Sequence, residues 1–200
     1  MKNFKNQVLI VLVILIAGIK IYFLQNTYSG LTSREITLLE ANRIGLEKAK
    51  EFDVNASLIF ITSVDDGIDS GENGRRGNWN LMYALPNINK RLFLSIKDRE
   101  ITKYRTIDKI TRSGIASNKI KVDSKYVVNK AIKTYNLQPG KIDGFFNGIH
   151  FKLLKENETV LIGVIGINDA NEIFDIYFNA ETGEYVREST NGKEVIKNEN

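Results

Sequence analysis

The chain has 200 residues, with 28 Lys and Arg against 24 Asp and Glu, one histidine, two prolines and no cysteine. A hydrophobic content of 42% and a charged content of 26% are those of a folded protein, so collagen-like and wholly disordered readings fail. With no cysteine there is no disulfide scaffold, thiolate zinc site, cysteine nucleophile or lipidated-cysteine anchor, and a single imidazole excludes any site that needs two.

The basic excess is local. Lys2, Lys5 and Lys20 fall within residues 1–31, which hold no acid, so the remainder is close to neutral. A near-neutral body does not generate the field that draws nucleic acid, and no nucleic-acid partner is expected. From Val8 to Ile19 every residue is apolar, and Ile21 to Leu24 extend the run past Lys20. That length is at the short end of the roughly 17–25 residues that cross a bilayer as a helix. Lys20 stands near the far end, where its stem reaches the interface beside Tyr22. Lys2 and Lys5 precede the run and Gln25 to Thr32 carry no charge, which predicts a cytoplasmic N-terminus (1–6), an uncleaved signal anchor (7–25) and an extracytoplasmic remainder. The competing reading is a cleaved signal peptide; against it, the run is long for such a segment and no Ala-x-Ala-like site follows Leu24.

After the anchor, Thr32-Ser33-Arg34-Glu35 fits a capping box and opens a predicted helix with an apolar stripe of Leu38, Leu39, Asn42, Leu46, Ala49 and Phe52, ending near Asp53-Val54-Asn55. Strands are predicted at Leu58–Val64, Trp79–Leu85, Leu92–Lys97 and Ile101–Arg105. Trp79, Leu81, Tyr83 and Leu85 alternate with Asn78, Asn80, Met82 and Ala84, the pattern of a half-buried strand that Pro86 ends. A second helix is predicted at Ser124–Asn136, capped by Asp123 or Ser124, with Val127, Val128, Ala131, Ile132 and Tyr135 on its apolar face. Strands follow at Phe145–Leu154, Thr159–Ile167, Ile173–Asn179 and Tyr185–Arg187, with Asn147-Gly148 as an alternative hairpin turn inside the first. Ala180-Glu181-Thr182-Gly183 reads as a tight connection with Gly183 left-handed, and Asn191–Asn200 as a polar tail. The plan, helix and then antiparallel meander, occurs twice, with Trp79 aligned on Leu161 and Leu94-Ser95-Ile96 on Ile176-Tyr177-Phe178. The predicted class is α+β, in two tandem units at 32–108 and 122–190.

The run Ile173 to Tyr185 resembles the closing hairpin of a PepSY domain, in which a strand ends in an Asp-Ala-x-Thr-Gly-type turn; here Asn179 stands where Asp is more usual. The helix carrying Val127, Val128, Ala131 and Ile132 fits the same plan, while the first unit keeps Trp79 but has Lys97-Asp98-Arg99-Glu100 at the turn. The resemblance implies tandem helix-plus-sheet units of the PepSY or cystatin-like kind. It also implies a non-catalytic, extracytoplasmic, membrane-tethered role in regulating peptidases or other cell-envelope enzymes.

No Gly-x-Ser-x-Gly elbow, Ser-x-x-Lys pair or phosphate-binding loop occurs in the chain, and no catalytic residue, cofactor or metal ligand is assigned. His150, between Ile149 and Phe151, reads as a surface or rim histidine. The loop Asp65 to Gly77 has three readings: a solvated hairpin loop, a partner contact through the Arg75-Arg76 pair, or a calcium loop whose ligand order does not fit the EF-hand. Arg75, Arg76 and Trp79 are the candidate partner-contact residues. Three functions follow: a tethered module docking on a cell-envelope protein, a secreted-side protease inhibitor, and a carboxylate-dependent envelope hydrolase.

Overall fold

The first helix, α1 (Leu38–Lys50), starts at the second of two Thr-x-x-Glu patterns and not at the first. Thr37 Oγ1 accepts from the Glu40 amide at 3.3 Å, and the Glu40 carboxylate accepts from the Thr37 amide at 2.9 Å. The expected cap at Thr32 to Glu35 gives way because Ile36 is held extended, bonded to Arg76 in both directions at 3.0 Å. In this computed structural model the described residues are 34–65, 67, 70–108, 113–142 and 146–194. Thr32, the apolar segment 7–25 and residues 195–200 of the expected tail lie outside them, while the first residues of that tail, 191–194, instead form a turn and a short strand, Lys193–Glu194, paired with Ser189 and Thr190. Among the described residues no helix is long and apolar enough to cross a membrane.

Leu38, Ala41, Gly45 and Ala49 form the buried face of α1, while Leu39 and Leu46, expected at its centre, are only partly buried at its flanks. The small residues let the helix lie close to the sheet. A Cβ at Gly45 would fall 2.6 Å from the Tyr83 hydroxyl. Helix α2 (Ser124–Tyr135) is capped by Asp123, as expected, and buries Ser124, Val127, Val128 and Ala131.

The strands are β1 (Ser57–Val64), β2 (Asn78–Leu85), β3 (Lys90–Lys97), β4 (Glu100–Asp108), β5 (Gly140–Ile142), β6 (Phe146–Gly148), β7 (His150–Glu156), β8 (Thr159–Ile167), β9 (Ile173–Asn179), β10 (Tyr185–Thr190) and β11 (Lys193–Glu194). The predicted strand at 145–154 is thus broken at Ile149. Its first part pairs back on β5, so Asn147-Gly148 is not the hairpin turn. The remaining nine strands make a single antiparallel sheet in the order β11-β10-β9-β8-β7-β1-β2-β3-β4. The two predicted units therefore share one sheet, joined where β1 meets β7, Ile61 opposite Leu153 and Thr62 opposite Lys152. They also share one core, in which Trp79 stacks on Phe151 with ring centroids 6.2 Å apart.

Both helices lie over the same face, and their N-termini are tied to each other. The Leu38 amide donates to Ser124 Oγ at 3.0 Å and the Leu39 amide to Asp123 Oδ1 at 3.1 Å. Element order thus repeats as the sequence suggests, but the alignment shifts by one residue on one strand. Trp79 lies opposite Ile96 and Ile162 lies opposite Phe178, so the tryptophan corresponds to Ile162. Leu161 alternates to the other face. The hairpin after β9 is as expected: Gly183 has φ +75°, and Asn179 Oδ1 accepts from the amides of Glu181 and Thr182, the part that Asp would play.

Candidate functional site

The expected partner-contact residues separate in the structure. Trp79 is fully buried and donates Nε1–H to the Arg76 carbonyl at 2.9 Å. Alternation along β2 places it on the helix-covered face, where the largest side chain fills the core. Arg76 is also fully buried. Its guanidinium faces Asp65 at 3.6 Å and the carbonyls of Val64 and Asn147 at 3.4 Å. Neither presents itself to a partner, because each holds the loop to the sheet. Arg75 alone of the three reaches the surface, and it is braced on the Glu35 carbonyl at 3.1 Å and the Glu40 carboxylate at 3.2 Å.

Beside Arg76 lies a second polar group at the seam between β1 and β7. His150, expected at the surface, is 7% exposed, as is Ser63. Its Nε2 is 2.9 Å from the Asn147 carbonyl, which assigns the proton to Nε2. Nδ1 then accepts from Ser63 Oγ at 3.2 Å, and Ser63 Oγ itself accepts from the Phe151 amide at 2.9 Å. Both ring nitrogens and the hydroxyl are thereby used to join β1, β6 and β7, and neither side chain opens onto solvent. Asp65 completes the group through the Asn147 amide at 2.9 Å. Burial pushes the Asp65 carboxyl up, but the amides of Gly67 and Asn147 and the neighbouring His150 and Arg76 outweigh it and hold it below the ordinary carboxylate range.

A feature that could receive a partner is the face of the sheet that, among the described residues, the helices leave bare. It carries a half-buried row, among them Phe60, Met82, Phe93, Leu154 and Ile165, which the alternation of core residues did not single out. On its second half the charges are matched. Lys152 bonds Asp175 at 2.8 Å, Arg187 pairs with Glu156 at 2.6 Å, and both cations lie over the Tyr177 ring. Burial alone would lower the Lys152 ammonium, yet its bonds to Asp175 and Tyr177 hold it above the ordinary lysine value. On the first half Lys97, Lys103 and Arg105 make no ion pair among the described residues. Two hollows there, of about 330 and 550 Å³, meet at Thr102 and Lys103.

This face can bind by apolar contact, by amide and hydroxyl groups such as Asn80 and Ser95, and by charge. Among the described residues no group of three or more His, Asp or Glu side chains is arranged to hold a metal ion. No protein-family model matches the chain, and no curated protein matches it. In fold it is similar to the crystal structure of a lipoprotein candidate from Clostridium difficile 630, with a TM-score of 0.56 and 12% identity, over 78% of this chain and 93% of that one. At that identity the likeness is one of fold: an α+β domain with two helices on a large antiparallel sheet.

Proposed function

We propose that the chain is a membrane-tethered, extracytoplasmic, non-catalytic module, built of two PepSY-like units, that docks on a cell-envelope enzyme or peptidase. The observation that carries this reading is the nine-stranded sheet with two helices on one face and, among the described residues, none on the other. A bare sheet face with a half-buried apolar row is a surface for a partner. With no cysteine to lipidate, the tether is the apolar run at 7–25. The resemblance of Ile173 to Tyr185 to a PepSY hairpin adds the regulatory sense.

Photo-crosslinking in membranes tests it. A photoreactive amino acid at Met82, on the bare face, should capture one defined envelope protein, and the same group at Tyr126, exposed on α2, should not. Capture of nothing above background from the bare face rejects the docking role.

A further inference from the structure

Strand β4 is one border of the sheet, nine residues paired with β3 on one side and, among the described residues, with nothing on the other. The opposite border, β11, has two residues. A long row of outward backbone N–H and C=O groups is a template for one more strand. Lys103 and Arg105 sit opposite Ser95 and Phe93 of β3 and so share the bare face, with the Arg105 guanidinium 5.8 Å from the Phe93 ring centre. They are two residues apart, the repeat of side chains on one face of a strand.

The geometry points to β4 as the acceptor of an extended acidic segment of a protein partner, one with Asp or Glu at every second position. Its main chain pairs with the free edge of β4, and its carboxylates lie across from Lys103 and Arg105 as cross-strand pairs. A phosphate polymer would meet the same cations but would leave the backbone edge unused, so the edge and the charges together select a peptide. A second copy of β4 is disfavoured, since its lysine and arginine would face their like. This inference rests on the docking role above and names the edge and the partner chemistry that serve it.

The test is fluorescence anisotropy with the full chain in detergent micelles and three labelled peptides, one alternating Glu with Thr, one alternating Lys with Thr, and the Glu-Thr peptide N-methylated at every backbone amide. Fluorescently end-labelled polyphosphate is titrated in a separate arm. The Glu-Thr peptide should bind and weaken as salt rises, while the Lys-Thr peptide, with the wrong charge, and the N-methylated Glu-Thr peptide, which has no backbone N–H to donate on either edge, should not bind. The K103E/R105E variant should weaken the Glu-Thr peptide by about ten-fold or more, and Lys133→Glu, on the exposed side of α2, should leave it unchanged. Equal binding of the N-methylated peptide would overturn strand addition. Binding of polyphosphate without the Glu-Thr peptide would assign the face to an anionic polymer, and absence of all binding would overturn the inference outright. If crosslinking from Met82 persists unchanged in K103E/R105E, the docking role stands and this edge is not its means; if crosslinking from the bare face is itself absent, the docking role fails first.

Discussion

Asp65 joins the loop after β1 to two parts of the structure at once, the Arg76 guanidinium and the Asn147 amide. Because its folded carboxyl titrates below the ordinary value of about 3.9, these contacts add stability above that pH and lose it as pH falls through the folded value. Asp65→Asn should therefore cost about 2 kcal/mol near neutrality and flatten the acid limb of the stability profile. Chemical denaturation across pH 2–7, roughly the carboxylate window, reads both effects, and an unaltered acid limb would refute the assignment. Gly45 makes a second residue-level case. Alanine is the better helix former by about 1 kcal/mol, but its methyl would press on the Tyr83 hydroxyl, which is fixed by the Asn42 carbonyl at 3.0 Å and Asn42 Oδ1 at 2.9 Å. Overpacking should win, so Gly45→Ala should destabilise by about 1–2 kcal/mol, seen as a lower Tm; a higher Tm would mean that the helix simply lifts.

At the scale of elements, the joined N-termini of α1 and α2 depend on Ser124, whose Oγ accepts from the Leu38 amide and donates to the Gly74 carbonyl at 2.6 Å. Ser124→Ala strands both buried backbone groups and should cost about 1–3 kcal/mol, with faster hydrogen exchange at Leu38; exchange at the wild-type rate would show that other contacts hold the junction. Much of this level could be read from residue order. The alternation of Trp79, Leu81, Tyr83 and Leu85, the Asp123 cap and the Asn179 turn are local signals, and each is found in place. Signals that depend on distant chain are the ones missed. Two equivalent capping boxes stand five residues apart, and only the pairing of Ile36 with Arg76 decides between them. His150 and Arg76 carry polar side chains that no local rule would bury, and they are buried because other strands and loops supply partners to both imidazole nitrogens and to the two terminal guanidinium nitrogens. The bare face went unnamed for a related reason: period-2 alternation marks two faces but not which one a helix will cover.

For the molecule as a whole, the shared sheet and core predict one cooperative unfolding event. Ile61→Ala, in the strand that joins the halves, opens a cavity that should cost about 2–5 kcal/mol. The loss should register equally in Trp79 fluorescence and in hydrogen exchange of β9; protection of β9 that outlasts the tryptophan transition would mean that the halves melt separately. The sheet's two borders differ as much as its faces do, nine residues at β4 and two at β11. A fibril of stacked copies requires that each new molecule offer, at its far side, what the previous one accepted. Among the described residues the far side is stepped, with β11 covering only Ser189 and Thr190 of β10, so the ledge at β4 can seat a guest strand while a second copy finds no edge of matching length and register across the sheet.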